Sequence, residues 1–200
     1  MENGKKLRLS FNSPVILTFT FLCFIVLILD MITAKQTTVN FFSVYRSSFA
    51  NPLTYLRMFT HVLGHANWEH LFGNVTMLLV VGPLLEEKYG SLNTLLIILI
   101  TALVTGLVNF FLFPNVRLLG ASGVVFAFIL LSAFTCVKER EIPITFILVA
   151  LIYMGEQIYS AIFVKDNVSN LTHLIGGGVG SVLGFIMNRK KMYRSNTGNQ

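Results

Sequence analysis

The sequence predicts an all-α membrane protein, a polytopic bundle of six transmembrane helices with both termini cytoplasmic. Three observations predict it. Only 12% of the 200 residues are charged, against about 25% in a soluble domain. Apolar residues make up 54%, 18 of them phenylalanine, and the mean hydropathy is +0.71. The apolar residues also gather into six charge-poor runs. Together these exclude a soluble enzyme, a disordered chain and a DNA-binding domain. The net charge of +6 reflects few charges, with the basic ones collected near the chain ends. Cys23 and Cys136 are too few and too far apart for a disulfide framework or a metal-ligand pattern.

A helix needs about 20 residues to cross ~30 Å of hydrocarbon. Residues 9–29 form the first run, too long for a signal peptide and followed by no small-residue cleavage site. The second, 71–85, is short unless Trp68, Glu69 and His70 supply its outer turn. The third is 91–116, the fourth 118–137, the fifth 142–164 with Glu156 inside it, and the sixth 167–188 with His173 inside it. This divides the chain into a cytoplasmic arm (1–8), a membrane domain (9–187) and a basic cytoplasmic tail (188–200).

Lys and Arg in the short flanks set the orientation. With the N-terminus inside, the inner flanks hold ten: Lys5, Lys6, Arg8, Lys88, Lys138, Arg140, Arg189, Lys190, Lys191 and Arg194. The outer flanks hold five: Lys35, Arg46, Arg57, Arg117 and Lys165. The long connection between the first two spans then lies outside. Its Phe41, Phe42, Tyr45, Phe49, Tyr55, Leu56, Met58 and Phe59 place it on or in the outer leaflet beside the bundle.

Polar groups inside a membrane are costly and mark function. His70 and Asn74, at i and i+4 early in the second span, share one helix face. Ser122 is early in the fourth span and His173 early in the sixth. All three spans run inward, so the four side chains share one depth near the outer face. Singly, each would be an ordinary interhelical hydrogen bond; four at one depth point to a site.

Gly120-Ala121-Ser122-Gly123 precedes the apolar stretch 124–137. A helix from Ser122 to Val137 is about 24 Å long, short of the ~30 Å core, so Ser122 is recessed. The glycines permit a tight turn, and the helix N-terminus offers free N–H groups to a developing oxyanion. Gly176, Gly180 and Gly184 form a small-residue stripe one turn beyond His173, suited to close helix contact. That contact would bring the His173 imidazole to Ser122, whose hydroxyl needs a base to become a nucleophile.

These residues resemble the rhomboid family of intramembrane serine proteases, from about Arg57 to Gly184. His65 through Asn74 matches H-x4-H-x3-N, and Glu86 through Ser91 is similar to the E-x-x-x-G turn. Gly120 to Gly123 matches G-x-S-G, and His173-x-x-Gly176-x-x-x-Gly180 follows in the family's order. The resemblance implies a minimal six-helix, rhomboid-like bundle acting as a serine-type endopeptidase. Ser122 corresponds to the nucleophile and His173 to its base. His70 and Asn74 correspond to oxyanion donors, joined by the backbone N–H of Ser122. His65 is a further polar position near the site, Arg57 supports the outer loop, and Glu86 is structural. The sequence departs from many relatives in having Leu56 rather than Trp before Arg57. It also has Phe126 rather than Tyr four residues after the nucleophile, which keeps the ring and loses the hydroxyl.

Only Asp166 and Glu156 lie near His173 in sequence, so a Ser–His dyad without a third acid is expected. No cofactor, metal or nucleic acid is implied; the partners are transmembrane protein substrates and the lipid bilayer. No oligomeric state follows from the sequence. Glu156, in the outer half of the fifth span, either faces the same water-filled cavity or belongs to a gate for substrate. A noncatalytic rhomboid-like protein that binds membrane clients is the alternative, although such relatives usually lack the Ser or the His. A metalloprotease or metal transporter is suggested by His61, His65, His70 and Glu69, but the His-Glu-x-x-His spacing is absent. A channel would need polar groups along the whole path. The basic flanks and lack of a presequence favour a bacterial plasma membrane.

Overall fold

The structure is a computed structural model that describes residues 10–134, six scattered helical positions between 144 and 155, and residues 167–196. Most of the fifth predicted span, with Glu156, and Asp166, Lys138, Arg140 and Cys136 lie outside the described residues.

The elements are helical throughout. α1 spans Pro14–Ile32, α2 Gln36–Phe41, α3 Pro52–Thr60, α4 Trp68–Tyr89, α5 Ser91–Leu112, α6 Ser122–Phe134 and α7 Asn167–Asn196. A 3₁₀ turn, His61–Leu63, follows α3. α1 begins at Pro14 rather than Leu9, because Pro suits the first helical turn, where no N–H is needed. α4 takes in Trp68, Glu69 and His70, since Asn67 caps it by accepting the His70 N–H at 2.8 Å. It runs on through the charged Glu86-Glu87-Lys88 and stops at Gly90, whose φ of +84° favours glycine. α5 ends at Leu112, before Pro114. α7 continues past the sixth apolar run to Asn196.

Of these, α1, α4 and α5 are long and apolar enough to cross a membrane. α6 and α7 carry shorter apolar stretches, Ser122–Ala133 and Leu171–Met187. Ile25, Ile28, Ile32, Val80, Leu84, Leu92, Val182 and Phe185 point outward and are exposed. In water such a girdle would be an aggregation surface; in a bilayer it is the lipid contact. The chain is a multi-pass membrane protein.

Lipid tails are as apolar as leucine, so close packing and hydrogen bonds must hold the helices together. The α6–α7 contact shows the first. A Cβ at Gly176 would collide with the Gly123 carbonyl oxygen and lie 2.8–2.9 Å from the Gly123 C and Cα, and one at Gly180 would lie 2.6 Å from the Ala127 Cα. Glu86 shows the second. Its buried carboxylate accepts the Val15 and Ile16 N–H groups at 3.0 Å each and the Ser91 hydroxyl at 2.7 Å. One acid thus ties the start of α1 and α5 to the end of α4, as an anion at a helix N-terminus should.

The connection between α1 and α4 is pinned rather than free. Asp30 accepts the Thr38 N–H at 2.7 Å, and Asn51 caps α3 through the Leu53 N–H at 3.0 Å. Val44 forms an antiparallel bridge with Leu118, two backbone bonds of 2.9 Å, joining this connection to the segment before Ser122.

Candidate active site

One cavity of about 540 Å³ opens among the first turns of α4, α6 and α7. His70 and Asn74 line it from α4, Ser122 and Phe126 from α6, and His173 from α7. The three helices therefore present their N-terminal ends to one place. Val116, Arg117, Leu118 and Leu119 form another wall, and Met77, Val125 and Ile129 its apolar floor.

Ser122 opens α6, so its N–H is not consumed by the helix ladder and is available to an acceptor. The His173 ring lies flat on Phe126, with centroids 4.4 Å apart and planes 6° from parallel. Stacking therefore orients the imidazole without a phenolic hydroxyl. The small contacts at Gly123 and Gly176 let the backbones of α6 and α7 approach beside the pair.

His70 sits edge-on to His65, centroids 5.1 Å apart. Its Nδ1 accepts the Ala66 N–H over 3.5 Å, so a neutral ring carries its proton on Nε2. Gly120, at φ +120°, lies against that edge; a Cβ there would be 2.7 Å from His70 Nε2. A side chain at Gly120 would thus be both strained and in collision. The Asn74 side chain is 7% exposed, and its Nδ2 has no partner among the described residues. A buried amide donor left open on a cavity wall is costly unless something in the cavity uses it.

Three predicted site residues lie outside the cavity lining: His65, Arg57 and Gly120, the last against the His70 edge. His65 is fully buried behind His70, with Nδ1 against the Leu63 carbonyl at 3.1 Å. Arg57, 4% exposed, donates from Nε to the Asn40 carbonyl at 2.8 Å and covers the Tyr45 ring at 4.6 Å, within the α1–α4 connection. Leu56 beside it is exposed. Among the described residues, His61, His65 and His70 do not converge as a group that could hold a metal. The His61 ring is held by the Arg57 carbonyl at 3.1 Å and the Thr105 hydroxyl at 3.3 Å.

His61 and His65 are expected to make the stability of the loop depend on pH. Burial pushes His61 down to about 4, against smaller opposing effects from the Arg57 and Met58 carbonyls. Burial, then the neighbouring His70, pushes His65 down to about 4. The unfolded chain, near 6.5, therefore takes up protons first as pH falls. The stability due to neutral burial is full above pH 6.5 and is lost on the way down to about pH 4. Thermal unfolding in detergent should show this window, and His65→Gln should flatten part of it. A melting temperature constant from pH 7 to 4 would contradict the burial of both rings.

The rhomboid-domain family model matches residues 52–190. The chain belongs to the rhomboid family. It is 31% identical over 157 residues to mouse Rhomboid-related protein 2, covering 68% of this chain and 51% of that one. It is 29% identical to Rhomboid-type serine protease 2 of Kluyveromyces lactis, with 68% and 51% covered. Rhomboid protease GlpG of Haemophilus influenzae is 24% identical, with 65% of this chain and 68% of GlpG covered. The chain spans about half the length of the first three curated relatives it matches. The three relatives named come from an animal, a yeast and a bacterium.

Inspection of the sequence missed Thr105 and Asn109, both fully buried in α5. Two polar residues at i and i+4 within an apolar run were the available signal.

Proposed function

We propose that this rhomboid is an intramembrane serine endopeptidase cutting transmembrane proteins in or near their membrane span. The observation that carries this is the gathering of Ser122, His173, His70 and Asn74 on one cavity. His173 takes the Ser122 proton as the hydroxyl attacks the scissile carbonyl, then returns it to the leaving amine. His70 Nε2–H, Asn74 Nδ2 and the Ser122 N–H stabilise the oxyanion. Gly120, Phe126, His65 and Arg57 keep these groups in place. An intact substrate helix hides its carbonyls in hydrogen bonds, so the cut stretch must unwind, which favours Gly, Pro or small residues.

A serine-directed fluorophosphonate tests the reading. It should label wild type and not Ser122→Ala, and His173→Ala should label far more slowly. An unlabelled wild type would favour the noncatalytic, client-binding alternative.

Asn74→Ala should reduce turnover by about 10²–10³-fold with little change in KM, because its amide acts on charge that exists only in the transition state. His70→Ala should act alike. Full turnover in both variants would remove the oxyanion assignment.

The orientation from the basic flanks puts the cavity in the outer leaflet, and a bacterial plasma membrane is the setting we propose. A single-span substrate should then be cut within about one or two helical turns of its outer boundary, releasing its external domain. Mass spectrometry of the products decides this; cuts near the cytoplasmic boundary would reverse the assigned depth.

A further inference from the structure

The segment 113–121 carries the cavity wall and leads into Ser122, yet no regular element contains it. Its position is set from α5. Asn109, fully buried, donates from Nδ2 to the Val44 carbonyl at 3.0 Å and to the Val116 carbonyl at 3.1 Å. Both partners are acceptors, so only the amide nitrogen can face them, and both of its hydrogens are used. Val44 O accepts the Leu118 N–H as well, so both of its acceptor positions are filled. Asn109 thus joins three segments: α5, the α1–α4 connection and the approach to Ser122.

One turn earlier, Thr105 meets the His61 ring at 3.3 Å, and the His61 carbonyl accepts the Gly120 N–H at 3.0 Å. The His61 Nδ1 faces the Arg57 carbonyl and must carry the ring proton, so Nε2 is an acceptor that shares the single Thr105 hydroxyl proton with the Thr101 carbonyl, 2.8 Å from that hydroxyl. Two neighbouring residues of α5 therefore hold both ends of the segment 116–120. One grips Val116 directly, and the other grips Gly120 through His61. Gly120 in turn lies beside the His70 edge, where an added Cβ would be 2.7 Å from Nε2.

We propose that Asn109 is a positioning residue for the active site, a brace that sets where Ser122 and its N–H stand relative to His70 and Asn74. Its effect on activity rests on the serine-protease reading above; its effect on the loop does not. Asn109 is not among the residues lining the cavity, so it acts only through the segment it holds.

Hydrogen exchange of the wild-type chain in detergent, compared with Asn109→Gln, Asn109→Asp and Asn109→Leu, tests the brace. Asn109→Asp keeps the shape but turns an acceptor toward two carbonyls. Asn109→Gln keeps the two donors on a longer arm. In the Asp and Leu variants the Leu118 and Gly120 amides should exchange at least ~10-fold faster, while α1 and α4 amides stay protected. Fluorophosphonate labelling of Ser122 should fall by about 10–100-fold in step, with the Gln variant recovering part of both. Unchanged exchange at Leu118 and Gly120 in both the Asp and Leu variants overturns the brace, whether or not Ser122 reacts. Faster exchange with unchanged labelling overturns its positioning role. An unreactive wild type overturns the protease reading instead, and the exchange measurement still decides the brace.

Discussion

Ser122→Ala should abolish cleavage of a model transmembrane substrate in liposomes, a loss of about 10⁴–10⁶-fold in turnover. In the proposed mechanism the hydroxyl forms the covalent intermediate, and among the described residues no other hydroxyl or thiol lines the cavity. Cys23, the free cysteine among the described residues, is buried in α1 and does not line the cavity. His173→Ala should approach the same floor, because nucleophile and base act as one unit and their losses do not add. The double variant should be no worse than Ser122→Ala alone. Residual cleavage in Ser122→Ala within ten-fold of wild type would exclude Ser122 as nucleophile.

Gly176→Val should be nearly as damaging, for a mechanical reason. Even a single Cβ at this position would press on the Gly123 backbone, one residue from Ser122. Backbone cannot rotate away as a flexible side chain can, so α6 and α7 must separate. Overpacking of this kind costs about 1–3 kcal/mol of stability. A shift near 1 Å between Ser122 and His173 costs about 10²-fold in rate. Gly178→Val provides the control, since a Cβ there meets nothing within 4 Å among the described residues. Thermal melts and substrate turnover of the two variants should diverge sharply. Equal behaviour would show that the α6–α7 contact does not set the catalytic geometry.

The fold was legible where its cause is local. Charge-poor runs of about 20 residues or more revealed α1 and α5, because such a segment suits the bilayer; the shorter run 71–85 became a full span only with the turn from Trp68 to His70. Their ends were less legible, since caps decide them. Pro14 delays α1, Asn67 brings His70 into α4, and Gly90 stops a helix that composition alone would end before Glu86. Glu86 read as an acid at a membrane boundary. Its grip on the Val15 and Ile16 N–H groups could not be read, because it joins segments 70 residues apart.

The candidate site divides the same way. Composition determined that this is a helical membrane protein, and the resemblance of four motifs in order pointed to the rhomboid family. They also singled out Ser122, His173, His70 and Asn74, because polar groups in apolar helices are expensive enough to stand out. Only the tertiary structure decided that these groups share one cavity, that Phe126 lies flat on His173, and that Gly120 is required by the His70 edge. It alone decided that Asn109 and Thr105 hold the approach to Ser122. The physical reason is range. Hydrophobicity and capping act within a few residues and leave a trace in the sequence. A hydrogen bond from Asn109 to Val44 depends on how the helices and the α1–α4 connection pack, and local sequence pattern does not encode that distance.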